Sequence, residues 1–153
     1  MYPAHVKLRV SDPDMELLFA FEKLCRYFRA WYTQEGKRHD LSPVQVQILI
    51  YLLRPLPQLR NLTTIAHEFF ISKASLSESI KGLMNKKLVT RLSLKSDKRV
   101  QYLNLTRSGK KLAVQLGQIP KVLNVPIRSM NRVEKQRLVN GVLNLIKDSG
   151  GDA

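Results

Sequence analysis

Between Asn61 and Leu105 the spacing of apolar residues changes from helical to alternating, and this change restricts the fold more than any other feature. Ile65, Ala66 and Phe69 share one side of a short helix; Leu76, Ile80 and Leu83 share one side of a longer one. Asn61 or Thr63 caps the first and Ser72 the second, which runs to about Lys87. Only a few residues around Phe70 and Ile71 separate them, which is the spacing of a helix-turn-helix. After Leu88 the period falls to two. Val89, Arg91 and Ser93 interleave with Leu92 and Leu94, and Val100, Tyr102 and Asn104 interleave with Leu103 and Leu105. The intervening Lys95-Ser96-Asp97-Lys98-Arg99 is a polar turn carrying three positive charges. Helix, turn, helix and basic hairpin together predict a winged helix-turn-helix.

Helices are expected on both sides of this unit. Asp12-Pro13-Asp14 supplies a cap, a first-turn proline and acids at the positive end of the dipole. Leu17, Phe21, Leu24, Phe28 and Trp31 follow at helical steps, with Leu18, Cys25 and Tyr32 as a neighbouring row, up to an expected end at Gly36. So broad an apolar surface exceeds what one packing partner covers, and a second chain is the natural source of more cover. Ser42-Pro43 opens a second helix through Val44, Ile48, Leu49 and Leu52, ended by Arg54-Pro55-Leu56-Pro57. Thr106 caps another through Leu112 and Leu116, which Gly117 and Pro120 should end or kink. Pro126 is expected to interrupt the chain again. Asn131 with Glu134 forms a capping box for a last helix through Leu138, Val142, Leu145 and Ile146 to Gly150-Gly151.

The charge is concentrated where the winged unit lies. The 153 residues carry 26 Lys and Arg against 12 Asp and Glu, a formal net of +14. Residues 61–112 hold 11 basic and 3 acidic side chains, net +8, whereas 1–60 (9 and 6) and 113–153 (6 and 3) hold +3 each. An excess of this size calls for an anionic partner, and its position favours nucleic acid over a membrane surface. No apolar run approaches the roughly 18 residues that span a bilayer. The first residues lack the apolar core of a secretion signal, and the single cysteine excludes a disulfide framework within the chain. A reduced, cytoplasmic location is expected. His5, His39 and His67 are dispersed, so no metal or other cofactor is expected. Seven scattered glycines form no phosphate loop, and Ser72, Ser75, Ser77 and Ser79 lack the elbow or nearby His of a nucleophile. An enzyme is not expected.

Position-by-position motifs then resemble those of the MarR-type transcriptional regulators. Leu41-Ser42-Pro43 with Gln45-Val46-Gln47-Ile48-Leu49 resembles the start and core of the family's second helix. Leu62-Thr63-Thr64-Ile65-Ala66 is similar to its third helix, and Ile71-Ser72-Lys73-Ala74-Ser75-Leu76-Ser77 to the start of its recognition helix. Leu88-Val89-Thr90-Arg91, Asp97-Lys98-Arg99 and Leu105-Thr106-Arg107-Ser108-Gly109 resemble its wing and the helix after it. The likeness covers roughly 14–147, with close motifs only over 41–109. It implies a mostly α fold with a small β-hairpin wing and three regions. Residues 1–36 would be an arm and dimerisation helix, 41–109 the DNA-binding lobe, and 110–153 the C-terminal dimerisation helices. It also implies a homodimer on a pseudo-palindromic operator in double-stranded DNA, with a small-molecule effector bound between dimer layer and lobe. The alternative is a winged-helix module for RNA or protein, monomeric and without operator specificity. One departure is Lys87, where the family usually has Gly. Left-handed dihedrals would cost a Lys about 1 kcal/mol, so a differently shaped helix end is expected.

The residues expected to touch DNA follow from these assignments. With Leu76, Ile80 and Leu83 inward, Ser75, Glu78, Lys81, Gly82 and Asn85 face outward. Ser72 and Ser75 can donate to phosphates or bases, Lys81 suits phosphate or guanine, and Thr63, Lys73 and Ser77 complete the helical contacts. Glu78 either accepts from a cytosine amine or pairs with Lys81 or Lys73, and the pairing is favoured. In the wing, Arg99 is the candidate for the minor groove, Lys95 and Lys98 for phosphates, and Arg91 for either structure or phosphate. Asp97 either holds Arg99 or simply fixes the turn. Phe28, Trp31, Tyr32 and Tyr51 are the candidate effector pocket, against the ordinary reading of aromatics at helical spacing as core. Some relatives sense oxidants through one cysteine in the first helix. On its row Cys25 is instead expected to be a buried, inert thiol.

Overall fold

A computed structural model describes residues 12–56, 60–93, 101–118 and 121–149. The wing tip at 94–100, with Lys95, Asp97, Lys98 and Arg99, lies outside the described residues, as do the arm at 1–11, Pro120 and Gly150-Gly151. The elements run α1 (Pro13–His39), α2 (Pro43–Tyr51), α3 (Leu62–Glu68), α4 (Lys73–Asn85), β1 (Val89–Ser93), β2 (Gln101–Leu105), α5 (Arg107–Leu116), α6 (Lys121–Ser129) and α7 (Arg132–Ser149). They form two compact units, residues 1–117 and 118–153.

In the first unit each helix begins on the cap its sequence offers. Asp12 accepts from the Asp14 amide at 3.1 Å, and Ser42 and Gln45 exchange the two bonds of a capping box. Asn61, rather than Thr63, caps α3 by accepting from the Thr64 amide at 2.9 Å. Ser72 and Thr106 do the same for α4 and α5. The strands pair antiparallel, Val89 opposite Leu105 and Ser93 opposite Gln101, and Asn61 adds a bridge to Tyr102. Val46, Ile48, Leu49, Leu52, Ile65, Leu76, Ile80, Leu83, Val89, Leu103, Ala113 and Leu116 form one buried core, with no buried polar or charged residue among those described. Helix α2 packs on α1, α4 and α5, so it forms the middle of the lobe.

Two expected breaks are absent. Gly36 does not end α1; the helix continues to His39 and closes at Asp40 with φ of 52° and a Leu41 N–H to Gly36 carbonyl bond of 2.9 Å. Gly36 is needed for close approach, since a Cβ there would lie 2.4 Å from the Leu41 carbonyl oxygen. Pro126 lies inside α6, which tolerates the loss of one backbone donor. In the second unit Asn131 accepts from the Val133 and Glu134 amides, and Glu134 accepts from the Asn131 amide at 2.7 Å, the expected box for α7.

Candidate nucleic-acid interface

Helix α4 is held from both ends and from below. Ser72 Oγ accepts from the Ser75 amide and donates to Ser75 Oγ at 2.9 Å. Its proton is therefore used within the cap, while the Ser75 hydroxyl proton remains for a partner. Beneath the helix, Gln45 Nε2 donates to the Ser79 carbonyl at 3.1 Å. Gly82 gives this side chain room, as a Cβ there would lie 2.4 Å from Gln45 Nε2. Gly82 thus belongs to the packed side of α4, contrary to its expected outward position. Ser75, Glu78, Lys81 and Asn85 are exposed together as expected.

The far end of α4 joins the wing through a clamp. Lys87 adopts φ of 57°, so the expected reshaping of this helix end does not occur. The Lys87 amide donates to the Met84 carbonyl at 2.8 Å and the Leu88 amide to the Leu83 carbonyl at 3.0 Å, the pair of bonds of a Schellman end. The start of α5 fixes the strained residue. Thr106 Oγ1 donates to the Lys87 carbonyl at 2.7 Å, and Ser108 Oγ donates to the same oxygen at 3.1 Å. The Thr106 amide donates to the Leu88 carbonyl at 3.0 Å. Several bonds over-determine one left-handed residue, and a lysine persists there. Lys86 Nζ also donates to Asp40 Oδ2 at 2.6 Å, joining the ends of α4 and α1. That hydrogen bond, and then the lysine charge, hold the Asp40 carboxyl below its ordinary range.

Two recesses flank α4. One, of about 290 Å³, is lined by Asn61, Leu62, Thr63, Lys73, Leu76, Ser77 and Gln101. The other, of about 390 Å³, is lined by Ala74, Ser77, Glu78, Lys81, Met84, Asn85 and Arg91. Thr63 and Lys73 therefore meet on one side of the helix and Glu78, Lys81 and Arg91 on the other, with Ser77 between. Among the described residues Glu78 forms no ion pair, contrary to the favoured pairing with Lys81 or Lys73. Exposed pairs gain too little to hold two solvated side chains together. Arg91 is half-buried, its Nε buried without a hydrogen-bond partner. Arg60 was missed in the sequence. Its guanidinium donates to Asn104 Oδ1 at 2.9 Å and so ties the segment before α3 to β2. Only the tertiary fold brings those two residues together.

The four candidate pocket aromatics divide. Phe28 stacks on Tyr32 with centroids 6.2 Å apart, and Trp31 lies 4.9 Å from Tyr32. Tyr51 instead meets Phe69 at 5.3 Å, under the Arg54 guanidinium at 5.2 Å. Burial raises the pKa of both Tyr32 and Tyr51; for Tyr51 the Glu68 charge adds to the rise and Arg54 opposes it. Cys25 is exposed, not buried as its row implied. Among the described residues no cluster of three His, Cys, Asp or Glu side chains could hold a metal, and no helix is long and apolar enough to cross a membrane.

A capped helix with one face in the core and the other exposed, preceded by a short helix and turn and followed by a hairpin, defines the winged helix-turn-helix class. Residues 39–100 match the model of the MarR family. No curated protein matches the chain in sequence. Solved structures share its fold. AbsC, a MarR family transcriptional regulator from Streptomyces coelicolor, is 18% identical with a TM-score of 0.71, covering 94% of this chain and 98% of its own. The S. aureus MepR–DNA complex is 19% identical with a TM-score of 0.65, over 85% and 96%. S. aureus MarR in complex with salicylate and kanamycin is 20% identical with a TM-score of 0.65, over 92% and 94%.

Proposed function

We propose that this protein is a transcriptional regulator that binds double-stranded DNA sequence-specifically, as a homodimer on a pseudo-palindromic operator. The observation that carries the reading is the outer face of α4. Ser75, Glu78, Lys81 and Asn85 are exposed side by side on a helix whose opposite face is fixed by Leu76, Ile80 and Leu83. Hydroxyl, carboxylate, ammonium and amide groups in one row are what a helix in the major groove uses to read base edges. Thr63, Lys73 and Ser77 serve the phosphates beside it, as do Arg91, Lys95 and Lys98, and Arg99 reaches into the minor groove. MepR, of the same fold, is solved in complex with DNA. No cofactor and no catalysis belong to this reading.

Apolar surface supports the dimer. On α1, Leu18 is 60% and Phe19 61% exposed, and in the second unit Val125 is 75% exposed, with Val133, Leu138 and Val139 also open. Apolar area of this extent is ordinarily covered by another chain. The MarR complex with salicylate and kanamycin supports an effector, for which Phe28, Trp31 and Tyr32 supply an aromatic wall and Tyr51 a separate one. Sedimentation of the free protein combined with equilibrium binding tests the reading. A dimer that prefers duplex DNA to single-stranded RNA, with affinity falling steeply in salt, is expected. A monomer with equal or greater affinity for RNA would refute it.

A further inference from the structure

Phe70 occupies the turn between α3 and α4 with φ of 51°, and its side chain is 79% exposed. The turn itself requires the left-handed geometry. The Phe70 amide donates to the His67 carbonyl and the Ile71 amide to the Ala66 carbonyl, both at 3.1 Å, so the chain reverses at this residue. A left-handed conformation is costly for a bulky residue. The other two left-handed side-chain-bearing residues among those described are tied into the fold, Asp40 through its carboxylate to Lys86 and Lys87 through its carbonyl to Thr106 and Ser108. Among the rings of the described residues, the Phe70 ring meets that of the exposed His67, at 6.3 Å. An aromatic ring normally stabilises a fold by burial, and this one is left in solvent at a strained position. Folding alone would be better served by glycine.

The position gives the ring another use. Phe70 stands two residues before Ser72, the cap of α4, and three before the exposed Lys73. If the N-terminal half of α4 enters a major groove, as the proposed function requires, the turn travels with it to the groove edge. The surrounding segment 61–112 carries net +8, which a polyanion complements. We propose that Phe70 is an uncharged DNA contact, its ring lying against the deoxyribose C–H surface of the strand that borders the groove. It adds affinity without reading a base and without neutralising a phosphate.

The test uses the full chain and a duplex selected from a random pool, with Phe70→Gly and Phe70→Asn compared to wild type. Both replacements accept left-handed geometry and lack the ring, and Asn lacks the added flexibility of Gly. Both variants are expected to resist denaturant at least as well as wild type and to bind about tenfold more weakly, the size of one good aromatic contact. The slope of log affinity against log salt should not change, because no phosphate contact is lost. The weakening should be equal on duplexes of different sequence. Wild-type affinity in either variant, a reduced salt slope, or a loss confined to one base position would overturn the proposal. Failure of the proposed function would look different, since wild type itself would then show no preference for duplex DNA.

Discussion

Gly109→Ala tests the clamp that sets the wing against α4. A Cβ at residue 109 would lie 1.8 Å from the Leu88 carbonyl oxygen, 2.8 Å from its carbon and 3.2 Å from Cα. All three are main-chain atoms, so no side chain can rotate away. Taking the closest from 1.8 Å to an ordinary 3.4 Å moves α5 about 1.6 Å from the start of β1. The bonds across that boundary measure 3.0 Å from the Thr106 amide to Leu88, and 2.7 and 3.1 Å from the Thr106 and Ser108 hydroxyls to Lys87. None survives such a displacement at its present length. At about 1 kcal/mol net for each bond, with partial replacement by water, and about 1–3 kcal/mol for overpacking, the loss comes to about 3–4 kcal/mol. That is a large share of the roughly 5–15 kcal/mol that holds a domain folded. Urea unfolding followed by Trp31, the only tryptophan and in the same unit as the clamp, reads it directly. With a slope of about 2 kcal/mol per molar, the midpoint should fall by about 1.5–2 M with the slope unchanged. A loss below about 1 kcal/mol would refute the rigid clamp.

Three further outcomes follow from the same geometry. Lys87→Gly should raise stability by about 0.5–1 kcal/mol in urea titration, because relief of left-handed strain exceeds the added freedom of the unfolded chain. In a carboxyl NMR titration Asp40 should titrate below an ordinary aspartate, and Lys86→Ala should return it upward. Because the folded-state value is depressed, the pair's contribution is present above the ordinary aspartate range and is lost as pH falls through the depressed value. The stability difference between wild type and Lys86→Ala should therefore shrink in acid; a difference that persists there would count against the ion pair. Lys73→Ala and Lys98→Ala should each leave the unfolding midpoint in place and lower the salt slope of DNA binding by about 0.9. An unchanged slope would remove that residue from the phosphate contacts.

The sequence disclosed what depends on neighbouring residues and concealed what depends on distant ones. Ser42, Ser72, Thr106 and Asn131 cap their helices within three residues, so the caps were readable. The two strands were readable because Val89 and Leu103 alternate inward along their own segments. Gly36 reads as a stop signal, yet its role is to let Leu41 approach, a contact made only once α1 turns back. Lys87 looked unsuited to a left-handed position because Thr106 and Ser108, which hold it there, lie about twenty residues downstream. Larger separations, of 34 and 44 residues, hid Gln45 under α4 and Arg60 beside Asn104. For the interface, helical geometry correctly grouped Ser75, Glu78, Lys81 and Asn85, but it misplaced Gly82, whose setting is decided by Gln45. The exposure of Cys25 was equally out of reach, since a heptad row specifies a face and not what covers it.

Selection of binding sites from a random duplex pool, at two salt concentrations, tests the central claim most directly. A dimer with one α4 in each of two major grooves predicts an enriched motif with two-fold symmetry, its half-sites about one helical turn apart, bound more weakly at the higher salt. A pool that yields no motif, or a single asymmetric half-site bound by a monomer, would contradict it.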